Sequence, residues 1–177
     1  MKLQTLLLFV LLIGAGTSNI TAQEECKRHI EPQGGFSICL PAGWSVEERQ
    51  GQKHKQLFAP RDPRFTANIN FRDEANTMPL EEYVAAGIKH ILASAEKVGA
   101  TSIKFVSQEP FVTDAGMSGV RVTFRSEYKG YLIRTRQYLF NGRPGEKLVV
   151  TGTELEADQA IHDPVFDRAV KSFRLET

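Results

Sequence analysis

Four strand-like segments follow one another in quick succession between residues 102 and 153. They are Ser102–Gln108, Gly119–Glu127, Tyr131–Phe140 and Lys147–Thr153. Tyr128-Lys129-Gly130 and the Asn-Gly-Arg-Pro-Gly segment at 141–145 both have the composition of hairpin turns. Because strands joined by such short turns pair antiparallel, this run predicts an antiparallel sheet at the centre of the fold.

Further strands are predicted upstream of this run. They are Phe36–Leu40, Gln56–Ala59 and Phe65–Arg72. In the last of these, Ala67, Ile69 and Phe71 share one face, as the period of two along a strand requires. The predicted sheet therefore has contributions from both halves of the chain.

Two amphipathic segments are predicted to be helices. From Pro79 to Val98, apolar residues recur at spacings of three and four and form a single stripe. Pro79 suits a first helical turn, and Gly99 is a suitable terminator. Near the C-terminus, Asp163 is a candidate cap for a shorter helix whose first position is Pro164. The order of strands, helix, strands and helix predicts an α+β fold, with helices packed on an antiparallel sheet.

The N-terminal segment 1–22 has the composition of a secretory signal peptide. Lys2 gives a basic start, an apolar run covers 6–13, and small residues follow at 14–18. The run is shorter than the roughly 20 residues that span a bilayer, so we expect cleavage after Ala22; an uncleaved anchor is the alternative. The expected mature chain is one domain, residues 23–177, that is periplasmic or secreted and has no transmembrane segment.

The chain has two cysteines, Cys26 and Cys39. In an oxidising compartment, an isolated pair is expected to form one disulfide, which here would attach the N-terminal segment to the first predicted strand. Free thiols are one alternative. A metal site is another, because Cys26 and His29 have a C-x-x-H spacing, although a second closely spaced pair of ligands is missing.

The charge balance argues against two classes of partner. The leader holds one lysine and no acidic residue, so the mature chain carries 21 basic and 21 acidic residues. A net charge of zero argues against non-specific nucleic-acid binding and against a strongly basic membrane-binding patch.

Arginines recur on two neighbouring predicted strands. Arg121 and Arg125 share one face of their strand, and Arg134 and Arg136 share one face of the next. A tight hairpin would bring the four together as a candidate site for an anion or an acidic partner. The alternative is a solvated sheet face with acids from other elements nearby. Asn68, Asn70 and Arg72 extend this polar surface if their strand presents the same face.

No catalytic constellation emerges from the sequence. The four histidines have no partner histidine at helical spacing, and Gly116-Met117-Ser118-Gly119 lacks the G-x-S-x-G pattern of a nucleophile elbow. Phosphate-binding glycine motifs are also missing. We therefore expect a non-catalytic protein without a cofactor or a metal. The competing hypothesis is a small-ligand binder or hydrolase, in which Asn68, Asn70 and Arg134 converge in a pocket between sheet and helix.

Three local strings, in this order, resemble the PsbP-like family. Phe36-Ser37-Ile38-Cys39-Leu40-Pro41-Ala42-Gly43-Trp44 is similar to its F-x-I-x-x-P-x-G-W opening. The string 80–83, Leu-Glu-Glu-Tyr, is similar to the start of its long helix. The string 166–174 resembles its closing F-D-x-x-V-x-S-F helix. The resemblance spans about 36–176, nearly the whole mature chain.

The superfamily also contains a Ran-binding nuclear-transport factor and bacterial envelope proteins. The resemblance implies an α/β/α sandwich with a central antiparallel sheet, one long helix and a short C-terminal helix. It further implies that the chain acts by binding and assembly instead of catalysis. Together with the predicted signal peptide and the missing catalytic constellation, it favours a bacterial exported protein that binds an unknown protein of the cell envelope.

Overall fold

The computed structural model describes residues 26–95, 97 and 99–176. It has the predicted α+β architecture, with two helices packed on a large antiparallel sheet. The predicted signal peptide, residues 1–22, lies outside the described residues. Among the residues that are described, no helix is long and apolar enough to cross a membrane.

Ten strands and two α-helices make up the described chain. The strands are β1 Arg28–Glu31, β2 Phe36–Cys39, β3 Ser45–Glu47, β4 Gln56–Phe58, β5 Asn68–Ala75, β6 Ala100–Val112, β7 Ser118–Tyr128, β8 Tyr131–Asn141, β9 Glu146–Leu155 and β10 Arg174–Leu175. The helices are α1 Leu80–Leu92 and α2 Gln159–Lys171, and a 3₁₀ turn at Glu156–Asp158 leads into α2.

Seven strands form the large sheet, in the order β3-β4-β5-β9-β8-β7-β6. All of its neighbouring strands are antiparallel. The hairpin between β7 and β8 turns through Lys129 and Gly130, with φ angles of 51° and 80°. Positive φ at both central residues is the geometry that matches the twist of a two-residue hairpin, so the predicted turn is confirmed.

The helices differ from the predicted segments at one end each. α1 stops at Leu92, where the backbone N–H of Ser94 donates to the carbonyl of Ile91 (3.0 Å), three residues back, and the Ser94 hydroxyl donates to the carbonyl of His90 (2.6 Å). α2 begins at Gln159, before the predicted cap Asp163. Pro164 is consequently the sixth residue of α2, not the first, and it removes one backbone hydrogen bond close to the helix start.

Each face of the large sheet packs on a different helix. On one face, α1 covers a cluster that includes Tyr83, Val84, Val122, Phe124, Leu139 and Val149. On the other face, α2 and the small sheet enclose a larger, aromatic-rich core that includes Phe36, Trp44, Phe71, Tyr138, Phe140, Phe166 and Phe173. The layers are therefore helix, sheet and helix, as the resemblance implied.

The small sheet has the order β1-β2-β10 and joins the two ends of the described chain. The sequence predicted β2 but neither β1 nor β10. A disulfide links Cys26 to Cys39, with their Cα atoms 5.5 Å apart, and confirms the predicted pairing. It fixes the start of β1 against the end of β2, since Arg28 and Cys39 are register partners.

Candidate functional site

The four arginines singled out by sequence lie on the sheet face that α2 covers. Arg125 and Arg134 stand directly opposite each other on β7 and β8. Arg136 pairs with Thr123, which places it diagonally across from Arg121. We call these residues, together with their acidic neighbours, the arginine cluster.

Carboxylates from α2 and from β6 compensate two of these arginines. Arg121 donates to both carboxylate oxygens of Asp167, over 2.9 and 2.7 Å, and also pairs with Glu109. Arg136, only 4% exposed, pairs with Asp163 and lies 3.4 Å from Asp167. The pairs join α2 to the sheet because both aspartates lie on the helix.

The other two arginines also have acidic neighbours. Nε of Arg134 is 3.6 Å from Oδ1 of Asp163, and Arg125 pairs with Glu156 in the 3₁₀ turn. The cluster thus contains the acids from other elements that the alternative interpretation required. Binding of an external anion or acidic partner by these four arginines stays a prediction.

Burial dominates the electrostatics at the centre of the cluster. Glu154 is fully buried, and neither of its carboxylate oxygens has a hydrogen-bond partner within the described part of the chain. Burial raises the pKa of Glu154 to about 7, although the charges of Arg136 and Arg134 oppose the rise. Nearby, the Tyr138 hydroxyl donates to Oδ1 of Asp167 (2.6 Å), and burial together with this bond raises the pKa of Tyr138.

Asn68, Asn70 and Arg72 do not extend the arginine surface. Their register partners on β9 place them on the opposite sheet face, the one that α1 partly covers. The physical reason is that successive side chains of a strand point to opposite faces of the sheet. Ile69 and Phe71 point into the aromatic-rich core beneath α2, so their neighbours along β5 must point to the other face. The predicted convergence of Asn68, Asn70 and Arg134 was therefore wrong.

A second buried polar group, which the sequence did not indicate, surrounds His54. Its Nε2 lies 3.0 Å from Oδ1 of Asp73, and its Nδ1 lies 3.9 Å from Oε1 of Glu31. Glu31 accepts the backbone N–H of Lys55 (3.2 Å), so the group attaches the β3–β4 loop to the small sheet. Although burial opposes it, hydrogen bonds from Lys53 and His54 lower the pKa of Asp73. Across residues 26–95, 97 and 99–176, no three His, Cys, Asp or Glu side chains could together hold a metal ion.

A groove of about 640 Å³ runs along α2 on the side of the disulfide, and we call it the α2 groove. Its apolar lining includes Pro41, Trp44 and Val165, and charged residues at its rim are Lys27, Asp114 and Arg168. Two hydrogen bonds fix its walls: Ser172 Oγ accepts the N–H of Cys39 (2.7 Å), and Lys171 O accepts that of Asp114 (2.7 Å). Its volume lies within the range of about 300–1,000 Å³ usual for ligand sites.

Comparison with known proteins gives no sequence match, but it gives clear structural ones. No protein-family model matches the chain, and no curated protein matches it. Cyanobacterial PsbP (CyanoP) from Synechocystis sp. PCC 6803 superposes with a TM-score of 0.65 at 12% identity, over 91% of this chain and 98% of that one. The Ran-binding protein Mog1p of Saccharomyces cerevisiae gives 0.55 at 12% identity, over 85% and 95%. The chain has a PsbP/Mog1-like fold.

A third neighbour with the PsbP/Mog1-like fold is LpqN, described as involved in cell envelope biogenesis of Mycobacterium tuberculosis. It gives a TM-score of 0.56 at 9% identity and covers 88% of each chain. The fold that the resemblance implied is therefore confirmed. At such identities the likeness shows the fold alone, and function depends on the side chains that this chain places on the PsbP/Mog1-like scaffold.

Proposed function

We propose that the mature chain is an exported, non-catalytic binding protein of the cell envelope, and that its α2 groove holds a partner protein. The observation that carries the proposal is the groove itself, an apolar depression next to three rim charges. Binding energy at protein interfaces is concentrated where a few apolar side chains enter such a desolvated pocket. The disulfide beside it supports an oxidising compartment.

The charges at the rim of the α2 groove predict which kind of partner segment fits it. Lys27 and Arg168 are exposed at the groove, against the single acid Asp114. A partner segment with one or two apolar side chains and flanking acidic residues would match both the lining and the excess of positive charge. The arginine cluster is a poorer candidate, because carboxylates of the same chain already accompany all four arginines.

Site-specific cross-linking tests the proposal. A photoreactive amino acid is placed at Val165, which lines the groove, and, as a control, at Ile161, which is 64% exposed on the same helix and does not line it. Cross-linking in intact cells is followed by mass spectrometry of the envelope fraction. We expect one protein to be captured from position 165 and not from position 161.

A charge substitution supplies the second arm of the experiment. Val165→Glu should abolish capture of the same partner by affinity-tagged protein, whereas Ile161→Glu should leave it intact. If both variants retain the partner, or if neither position captures any protein, the groove does not bind a protein.

The groove also favours a second candidate function, a small-ligand binder. It lies between a helix and a strand and is large enough for a small molecule. Native mass spectrometry of protein purified from the envelope distinguishes the two candidates. A retained small molecule that Val165→Glu releases would support this second function in place of the first.

A further inference from the structure

Six neutral polar side chains form two rows across the face of the large sheet opposite the arginine cluster. In one row Asn68 is paired with Thr153, and Thr153 with Thr135; in the other Asn70 is paired with Thr151, and Thr151 with Gln137. We call these six residues the polar strip. It spans three strands, about 10 Å, and about 7 Å along them.

The part of the sheet that α1 covers ends beside the polar strip. Phe124 and Val122, the next residues in the two rows, belong to the apolar cluster beneath α1, whereas all six strip residues are half-buried and still reach solvent. The Tyr83 hydroxyl of α1 accepts a hydrogen bond from Arg72 (3.4 Å), the residue that follows Asn70 on this face of β5, so the first turn of α1 lies at one end of the strip. One turn further on is Gly87, where a Cβ would meet no other atom within 4 Å. The helix therefore leaves open space at Gly87.

The hydrogen-bonding capacity of the strip is largely unused. Within the described residues, Asn68 alone makes a side-chain hydrogen bond, donating to the carbonyl of Thr66 (3.2 Å). The amides of Asn70 and Gln137 and the three threonine hydroxyls are left for solvent or for a ligand. Asn is also disfavoured in strands, so two of them in an interior strand have no evident benefit for folding.

The composition of the strip restricts its ligand. None of the six is ionisable, so the strip itself offers only neutral hydrogen-bond donors and acceptors. The two arginines at its edges, Arg72 and Arg49, are each paired with a glutamate of the same chain. β5, β9 and β8 are interior strands whose backbone groups are already paired, so a peptide cannot bind by adding a strand here. A ligand must therefore bind to side chains.

An aromatic ring borders the strip. Phe58 of β4 is the register partner of Asn68, and the Arg49 guanidinium lies 4.4 Å from the centre of its ring. Arg49 therefore covers one face of the ring, and Phe58 as a whole is half-buried, so the ring presents only a limited apolar surface next to the amides and hydroxyls. A flat apolar surface beside neutral donors and acceptors complements a sugar ring, which has apolar C–H faces and a rim of hydroxyls.

We propose that the polar strip binds a neutral oligosaccharide. The hydroxyls of the sugar exchange hydrogen bonds with the amides and hydroxyls of both rows, and one sugar ring packs against Phe58. The site is on the other side of the sheet from the α2 groove, so it does not depend on the proposed protein partner.

The experiment is an NMR titration of the ¹⁵N-labelled mature protein with neutral oligosaccharides. The probes are tetrasaccharides of α-linked glucose, β-linked glucose, β-linked N-acetylglucosamine and β-linked galactose, each used up to about 10 mM to detect millimolar dissociation constants. We expect one of them to give saturable shifts confined to amides of β4, β5, β9 and β8.

Substitutions then test the side chains. Thr151→Val and Gln137→Leu keep side-chain size and should each weaken binding about five- to tenfold, the effect of one or two lost hydrogen bonds. Thr101→Val removes an exposed hydroxyl on β6, away from the strip, and should leave the affinity unchanged. Thermal melts establish that each variant is folded.

Three outcomes would overturn the proposal. They are no shift with any of the four tetrasaccharides, shifts that map elsewhere on the protein, and binding that both strip variants retain. Shifts of the strip amides caused only by a protein captured from the envelope would make this surface a protein interface instead. Capture by the α2 groove can fail without affecting any of these readouts.

Discussion

Glu154 makes a specific pH dependence of stability measurable. Its carboxyl is fully buried, and burial raises its pKa from 4.5 to about 7 in the folded protein. Between these two pH values the folded chain keeps a proton that the unfolded chain releases, so folding becomes less favourable as the pH rises. Since each pKa unit corresponds to about 1.4 kcal/mol, the free energy of unfolding should lose about 3 kcal/mol by pH 8 on account of this residue.

Other groups change stability in the opposite direction. Burial lowers the pKa of His29 and of His162 below the usual 6.5, so these residues favour the folded state more as the pH rises towards neutrality. Arg134, Arg136 and Asp158 also act on Glu154, and their charges are included in its shifted pKa. The contribution of Glu154 must therefore be isolated as a difference between two proteins.

Glu154→Gln provides that difference, because glutamine is neutral at every pH in the range. Urea unfolding of both proteins at pH 4.5, 6, 7 and 8 gives the free energies of unfolding. We expect nearly equal stabilities at pH 4.5, and an advantage of about 3 kcal/mol for Glu154→Gln at pH 8. Glu127→Gln, at an exposed position of the same sheet, controls for the loss of one negative charge. Parallel curves for wild type and Glu154→Gln would refute the reasoning.

Three further predictions concern stability and use urea unfolding at neutral pH. Replacing both Cys26 and Cys39 by serine should cost about 3 kcal/mol, and added reductant should then have no further effect; an unchanged midpoint would contradict this. Asp167→Asn should cost about 2 kcal/mol because Arg121 and Tyr138 lose a charged acceptor, and a cost below about 0.5 kcal/mol would mean that the pairs contribute little. Gly152→Ala should destabilise the protein by about 1–3 kcal/mol, because the added Cβ would lie 2.9 Å from the Phe166 ring. Gly87→Ala in α1 should instead stabilise it by up to about 1 kcal/mol, because alanine favours the helix and meets no other atom. The reverse order of stabilities would disprove the packing argument.

The large sheet was predictable because its signals are local. Alternation within each strand and turn composition between strands identified β7, β8 and β9 to within two residues at each end. β1 and β10 were not predictable in this way, because they have four and two residues and are held by pairing with β2. The start of α2 was misplaced because a proline was assigned to its most favourable helical position, and Pro164 is not there.

The candidate sites, like the fold, were predictable only where the signal in the sequence is local. The closeness of Arg121, Arg125, Arg134 and Arg136 followed from a single hairpin, but the acids that accompany them come mainly from the distant α2. Period two shows which residues of one strand share a face, but it does not show which face a strand elsewhere in the chain presents. The α2 groove had no sequence signal at all, because tertiary packing brings its lining together from three parts of the chain.

The two faces of the large sheet differ in how far their side chains can change without loss of stability. Beneath α2, the arginine pairs and the aromatic core hold the helix in place, so substitution there affects stability before it affects a surface. The outer side of α2 and the uncovered part of the opposite sheet face contain none of these stabilising contacts. Thr151 belongs to neither core cluster, and Val165 is only partly buried against the aromatic-rich core. Neither belongs to a buried ion pair, and these are the surfaces on which binding should be sought.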